Sequence, residues 1–187
     1  MRQPRGGQIR LRSPDPRRFD ARAVMPEGSL TPRIYLIGEA PGRQEAEAGR
    51  PFVGPAGTAL RAMMREAGID ESQIRLANAV PFRPIQRSVK RGLRNRKPTA
   101  TELRDNGPFV LADIASVRPR LIIALGKSAA WLFGASMTID RARRKAFRFQ
   151  GIPVRITYHP GFVVRFGGKG SRLWRTAVHD LRKFGRP

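Results

Sequence analysis

The 187-residue sequence contains no cysteine. That excludes disulfides, thiol nucleophiles, zinc–thiolate sites and cysteine-held iron–sulfur clusters, and it fits a reducing cytoplasm. Acid is scarce as well: 14 Asp and Glu stand against 37 Lys and Arg, a net charge of +23. So large an imbalance points to a polyanionic partner, with nucleic acid first and an anionic membrane surface as the plainer rival. No apolar run approaches the roughly 20 residues needed to cross a bilayer. The Arg-rich beginning lacks the apolar segment of a secretory signal. What remains is 40% hydrophobic, enough to bury a core, and the length suits one domain.

Residues 1–30 are rich in Arg, Pro and Gly without periodicity. They read as a basic arm, partly ordered by Leu11 and Phe19, ahead of a single domain over 31–187. Four strand–helix units follow. Apolar runs at 33–37, 74–80, 121–125 and 152–158 read as buried strands, and the stretches near 56–68, 100–117 and 171–183 as helices. Thr99 with Glu102 three residues on forms a capping box. The segment 81–98 reads as a Pro- and Arg-rich loop, and that between Phe133 and Ile152 as basic and irregular. Strands alternating with helices predict a three-layer α/β/α sandwich around a mostly parallel, four-stranded sheet.

In such sheets, ligands bind where the strands end at their carboxyl edge. The loops expected there carry Glu39, Asn78, Gly126-Lys127 and His159-Pro160. Singly each is weak. Glu39 serves as well as a helix cap, Asn78 as a turn former and Phe52 as core. Lys127 reads as a helix start, and His159 as a turn residue held extended by Pro160. Their shared edge is the signal. The loop Gly38-Glu39-Ala40-Pro41-Gly42, followed by Pro51-Phe52-Val53-Gly54, offers an acid, backbone amides and an aromatic plate in one place.

The ordered set GEAPG (38–42), Glu45, Gly49, PFVGPAG (51–57), Asn78, Arg83-Pro84, Asn95-Arg96-Lys97-Pro98, Pro108-Phe109, LIIALG (121–126) and HPGFVVR (159–165) resembles the uracil-DNA glycosylase superfamily. The likeness runs over roughly residues 33 to 183. It is nearest to the group whose first motif is Gly-Glu-Gly/Ala-Pro-Gly and which usually carries an iron–sulfur cluster. The departures are specific. Where that group has Lys-Cys-Arg-Pro, this chain has Pro81-Phe82-Arg83-Pro84, and Asn106 stands near another expected cysteine. The resemblance therefore implies the fold without the cluster, and no cofactor or metal. About eight residues are inserted before Asn95; they contain no histidine, which implies ordinary turnover rather than a His-linked DNA adduct.

The resemblance further implies a repair enzyme acting as a monomer on uracil-containing DNA, single- or double-stranded. It would flip uracil from the helix and hydrolyse its N-glycosidic bond. Phe52 would stack on the pyrimidine and Asn78 would read its Watson–Crick edge. The backbone at Gly38, Glu39 and Ala40 would hold O2, with Asn95 orienting Glu39. His159 would stabilise the leaving base, and Glu39 or Glu45 would activate water, because Ala40 replaces the Asp that some relatives carry. Phosphate contacts would come from Arg87, Lys90, Arg91, Arg94 and Arg165, with Gly161 and Phe162 approaching the minor groove as an apolar wedge. Excision of hypoxanthine or xanthine, or non-catalytic binding of uracil or abasic DNA, are the alternatives.

Overall fold

The structure is a computed structural model that describes residues 11, 14–90 and 92–185. Its elements in chain order are β1 (Phe19–Ala23), β2 (Glu27–Gly28), β3 (Ile34–Gly38), α1 (Arg43–Ala48), α2 (Pro55–Ala67), β4 (Ile74–Asn78), β5 (Phe82–Ser88), β6 (Gly92–Asn95), α3 (Ala100–Val117), β7 (Leu121–Leu125), α4 (Lys127–Trp131), α5 (Ile139–Ala142), β8 (Phe147–Phe149), β9 (Ile152–Thr157), α6 (Pro160–Phe166) and α7 (Arg172–Gly185).

The four strands expected from the apolar runs form the middle of one sheet, in the order β4-β3-β7-β9, all parallel. Two features were not anticipated. The sheet has six strands, because β2 and β8 pair antiparallel on its two edges. The supposed loop 81–98 is a hairpin of β5 and β6, which joins β1 in a separate three-stranded antiparallel sheet. Both were hidden for the same reason. β8 has three residues and β2 only two, and the outer half of the hairpin is exposed, so no apolar alternation marks them. The 133–152 segment likewise holds α5 and β8. Of the basic arm over 1–30, residues 1–10, 12 and 13 lie outside the described residues; Phe19 is buried and Leu11 packs on the same core.

Side chains alternate along the central strands and so feed two apolar layers. Tyr35, Ile37, Ile122, Ala124, Val154 and Ile156 meet Leu103, Val110 and Ile114 of α3. Leu36, Ile123 and Leu125 meet Leu60, Met63 and Met64 of α2 and Trp174, Val178 and Leu181 of α7. Helices on both faces make the expected sandwich. Every strand of the parallel set then ends at the same edge.

The small sheet is fastened by charge rather than by a covalent tie. Glu102, nearly buried, completes the capping box with Thr99 and takes both Arg96 nitrogens at 2.7 Å. Arg96 also donates to the carbonyls of Ile85, Lys97 and Arg18, so one guanidinium links β5, the strand-to-helix turn, α3 and the entry to β1. Burial pushes the Glu102 carboxyl up, but the Arg96 hydrogen bonds, the Thr99 amide and the Arg96 and Arg18 charges outweigh it and hold it below the ordinary glutamate value. The native chain therefore binds fewer protons there than the unfolded chain. This stability is present above the ordinary glutamate value and is lost as pH falls through the lowered native one. Glu102→Gln should lower unfolding free energy at neutral pH by about 3 kcal/mol and remove part of the acid-side loss, as read by denaturant melts from neutral pH down to the acid range. An unchanged acid limb would show that other carboxylates govern it.

Candidate active site

At the carboxyl edge of the sheet lies a cavity of about 500 Å³, lined among others by Glu39, Ala40, Glu45, Phe52, Asn78, Asn95 and His159. Strand ends deliver most of them. Glu39 follows β3, Asn78 closes β4, Asn95 closes β6 and His159 follows β9.

Two glycines make the convergence possible. A Cβ on Gly38 would lie 2.5 Å from Asn78 Oδ1 and 2.6 Å from Phe52 Cζ. The carboxamide and the ring thus meet over a bare backbone. Phe52 itself has φ of +56°, a left-handed backbone unusual for an aromatic residue. Arg61 Nη1 holds its carbonyl at 2.6 Å, and a Cβ on Gly57 would strike that same oxygen at 1.7 Å. Gly57 at the start of α2 therefore lets the Phe52 loop sit against the helix. Asn78 is nearly buried, and its carboxamide makes no hydrogen bond among the described residues, so its donor and acceptor remain for a ligand.

The two acids differ. Glu45 Oε2 accepts from the Gly42 amide at 3.1 Å and Oε1 from the Gly54 amide at 2.7 Å. Both oxygens tie the first motif to the Phe52 loop. Glu39 Oε2 accepts from Ser128 Oγ at 2.6 Å, which leaves Oε1 without a hydrogen-bond partner among the described residues. Asn95 does not hold Glu39: its Oδ1 accepts from Arg83 Nε at 2.7 Å. Ser128 and Arg61 were missed in the sequence. Ser128 stands just past Gly126, in the first turn of the helix that leaves β7, and that position was its only signal. Lys127 is exposed and is not among the residues lining the cavity.

His159 caps α6, with its Nδ1 accepting from the Gly161 amide at 3.1 Å. An Nδ1 that accepts carries no proton, so the neutral ring keeps its proton on Nε2 as a donor. Burial lowers the His159 pKa, opposed by the Glu39 charge; Lys97 lowers it further, and Glu45 acts against that. The net direction is down, which favours the neutral donor.

Among the described residues, the basic side chains expected to contact phosphate lie at the surface. Arg87, Lys90 and Arg94 are exposed on the β5–β6 hairpin, while Arg91 lies outside the described residues. The segment expected as a wedge is the helix α6. Gly161 sits in its first turn beside His159, and Phe162 and Arg165 are exposed. Phe162 stacks on Tyr158 at 6.1 Å and meets Phe166 at 4.7 Å, so the aromatic surface is a row rather than a single wedge.

Residues 25–182 match the Uracil DNA glycosylase superfamily model. The chain belongs to that superfamily. It is 36% identical to the Type-4 uracil-DNA glycosylase of Thermotoga maritima over 86% of this chain and 80% of the relative. With that of Pyrobaculum aerophilum it shares 34% identity over 79% of this chain and 76% of the relative. The crystal structure of Pedobacter heparinus SMUG2 shares the fold, with a TM-score of 0.58 at 14% identity, covering 82% of this chain and 74% of that one. The iron–sulfur cluster implied by the resemblance to the nearest group does not fit the residues present. No cysteine is available. Phe82 is buried with its ring 6.2 Å from that of Phe19, and Asn106 donates to the Glu102 carbonyl. Among the described residues, no helix is long and apolar enough to cross a membrane.

Two outcomes follow from this geometry. Ser128→Ala should leave substrate affinity unchanged and lower the catalytic rate about tenfold, the loss of one charge-assisted hydrogen bond, with Ser128→Thr restoring it; equal rates would separate Ser128 from the site. The His159 ring proton signals, followed by NMR, should titrate below the ordinary histidine value of 6.5; a midpoint above it would overturn the neutral assignment.

Proposed function

We propose that this protein is a uracil-DNA glycosylase that draws uracil into the cavity at the sheet edge and releases it by hydrolysis, leaving an abasic site. The observation that carries the reading is the meeting of the Phe52 ring and the unpartnered Asn78 carboxamide over Gly38, beside a neutral His159. A flipped base needs a plate, an edge reader and a donor, and these three supply them.

Phe52 stacks on the pyrimidine. The Asn78 amide nitrogen donates to O4 and its oxygen accepts from N3–H. Cytosine presents the reverse pattern at those atoms, so an amide held in one orientation rejects it. The N1–C1′ bond breaks with its electron pair passing to uracil, whose negative charge gathers at O2. His159 Nε2–H and the amides of Glu39 and Ala40 stabilise that charge; a preorganised donor of this kind is worth on the order of 3 kcal/mol. Water adds to C1′ and gives its proton to the Glu39 carboxylate, which Ser128 orients. Glu45 acts one step back, fixing the loops through the Gly42 and Gly54 amides, and Asn95, held by Arg83, lines the cavity. Arg87, Lys90, Arg94 and Arg165 contact phosphates, which position the strand without reading sequence. The aromatic row of α6 occupies the space beside the everted base. The protein acts as a monomer in the cytoplasm, where its DNA substrate lies.

The test is base release from oligonucleotides carrying uracil, hypoxanthine or xanthine, with alkali revealing abasic sites. Strand breaks are expected at uracil. A pure protein that cuts none of the uracil substrates, single- or double-stranded, would overturn the enzyme reading and leave a binder. His159→Ala should slow excision by about a hundredfold or more with DNA binding kept; undiminished excision would remove the imidazole from the chemistry.

A further inference from the structure

A second cavity, of about 430 Å³, opens at the opposite edge of the sheet, where the parallel strands begin. Arg33 and Ile34 at the start of β3, Arg120 and Leu121 at the start of β7, Pro153 and Arg155 of β9, and Lys183 and Phe184 of α7 line it. Four of these eight residues are cations and none is an acid.

These four cations have no ion-pair partner among the described residues; Asp70, which lines an adjoining cavity with Arg33, is engaged by Ser72 and Gln73. Arg155 lies on the face of β9 that also presents Thr157, two residues on, and that face looks toward α7. The one acid of α7 is Asp180, and it is already saturated. Arg143 grips it at 2.6 and 2.7 Å, and Thr157 Oγ1 donates to it at 2.6 Å. Arg33 spends one nitrogen on the Gly185 carbonyl. Arg120, Arg155 and Lys183 make no side-chain hydrogen bond or ion pair among the described residues. Like charges gathered around a concave, partly desolvated wall repel each other, and a bound anion is what relieves them. Guanidinium groups suit phosphate in particular, since their fixed fork matches two oxygens.

We propose that this cavity is a second phosphate-binding site, separate from the catalytic one, that takes the backbone of a polynucleotide or a free polyphosphate. Its position decides that it is separate. The five-residue strands between the two edges span roughly 17 Å, and the sheet stands between them. A phosphate flanking the everted nucleotide therefore cannot reach it, and a DNA ligand there is a second segment of chain. With DNA as the occupant, the protein holds two DNA segments at once, one at each end of the sheet.

The experiment uses the full chain and the double variant Arg120→Gln/Arg155→Gln, with matching thermal melts establishing that both are folded. Lys183→Gln, a change at an exposed helix position, is carried in parallel. Tripolyphosphate is titrated into labelled protein and followed by NMR. Shifts that saturate and centre on residues 33, 120–121, 153–155 and 183–184, with affinity falling about tenfold or more in the double variant, support the site. A second arm measures energy transfer between two short uracil-free duplexes bearing donor and acceptor dyes. Transfer on the wild-type protein that is lost in the variant, with a salt dependence reduced by about two counterions, identifies DNA as the source. Tripolyphosphate binding without transfer identifies a free polyphosphate. Excision on a single short duplex stays unchanged throughout, so failure here is distinct from failure of the catalytic reading. Non-saturating shifts spread over the whole surface, or equal affinity in wild type and variants, would overturn the proposal.

Discussion

The backbone of Phe52 is the constraint on which the site depends. Its left-handed conformation is one a bulky residue avoids, and it persists because the surroundings leave no alternative. Arg61 holds the carbonyl from α2, and the bare Gly57 lets that carbonyl lie where a side chain would stand. With the backbone so fixed, the ring is pressed over Gly38 against the Asn78 carboxamide. Glu45 then closes the arrangement by bonding the amides of Gly42 and Gly54 on either side of the loop. Three separate devices hold one ring in place, which is what a plate for a flipped base requires, since a stacking partner free to move would give back in entropy what it gains in contact.

Electrostatically the protein keeps its scarce acid where it is needed. Nearly every carboxylate near the core is committed: Asp113 to Tyr35 and Arg75, Glu102 to Arg96, Asp180 to Arg143 and Thr157. Glu39 and Glu45 are the exceptions at the cavity edge, held by a hydroxyl and by backbone amides rather than by a cation. The Glu39 charge is therefore not cancelled at the carboxylate itself, as the proposed role of taking a proton from water requires. Meanwhile cations without an ion-pair partner among the described residues lie on the hairpin, on α6 and at the far end of the sheet.

With no cysteine in the chain, the small sheet is fastened by the Arg96–Glu102 pair. A disulfide between β5, α3 and the chain before β1 is impossible here, and one guanidinium connects them through three carbonyls and a buried carboxylate. The Phe19–Phe82 contact fills the apolar space beside it. Such a tie is reversible and depends on pH, as a cluster or disulfide would not be in the same way.

The sequence by itself determined the parallel core of the fold. Continuous apolar runs such as Leu121–Leu125 report burial on both faces, and a capping box such as Thr99–Glu102 marks a helix start from local chemistry alone. It also pointed to the strand ends that carry Glu39, Asn78 and His159, which the fold brings to the lining of one cavity. It could not determine β2, β8 or the β5–β6 hairpin, whose residues are too few or too exposed to carry a period. Nor could it show that Glu39 meets Ser128 while Glu45 bonds two backbone amides, or that Arg61 holds the Phe52 carbonyl. Those outcomes were decided by tertiary structure, because they depend on which atoms from distant segments come within hydrogen-bond reach, and a linear spacing holds no record of that distance.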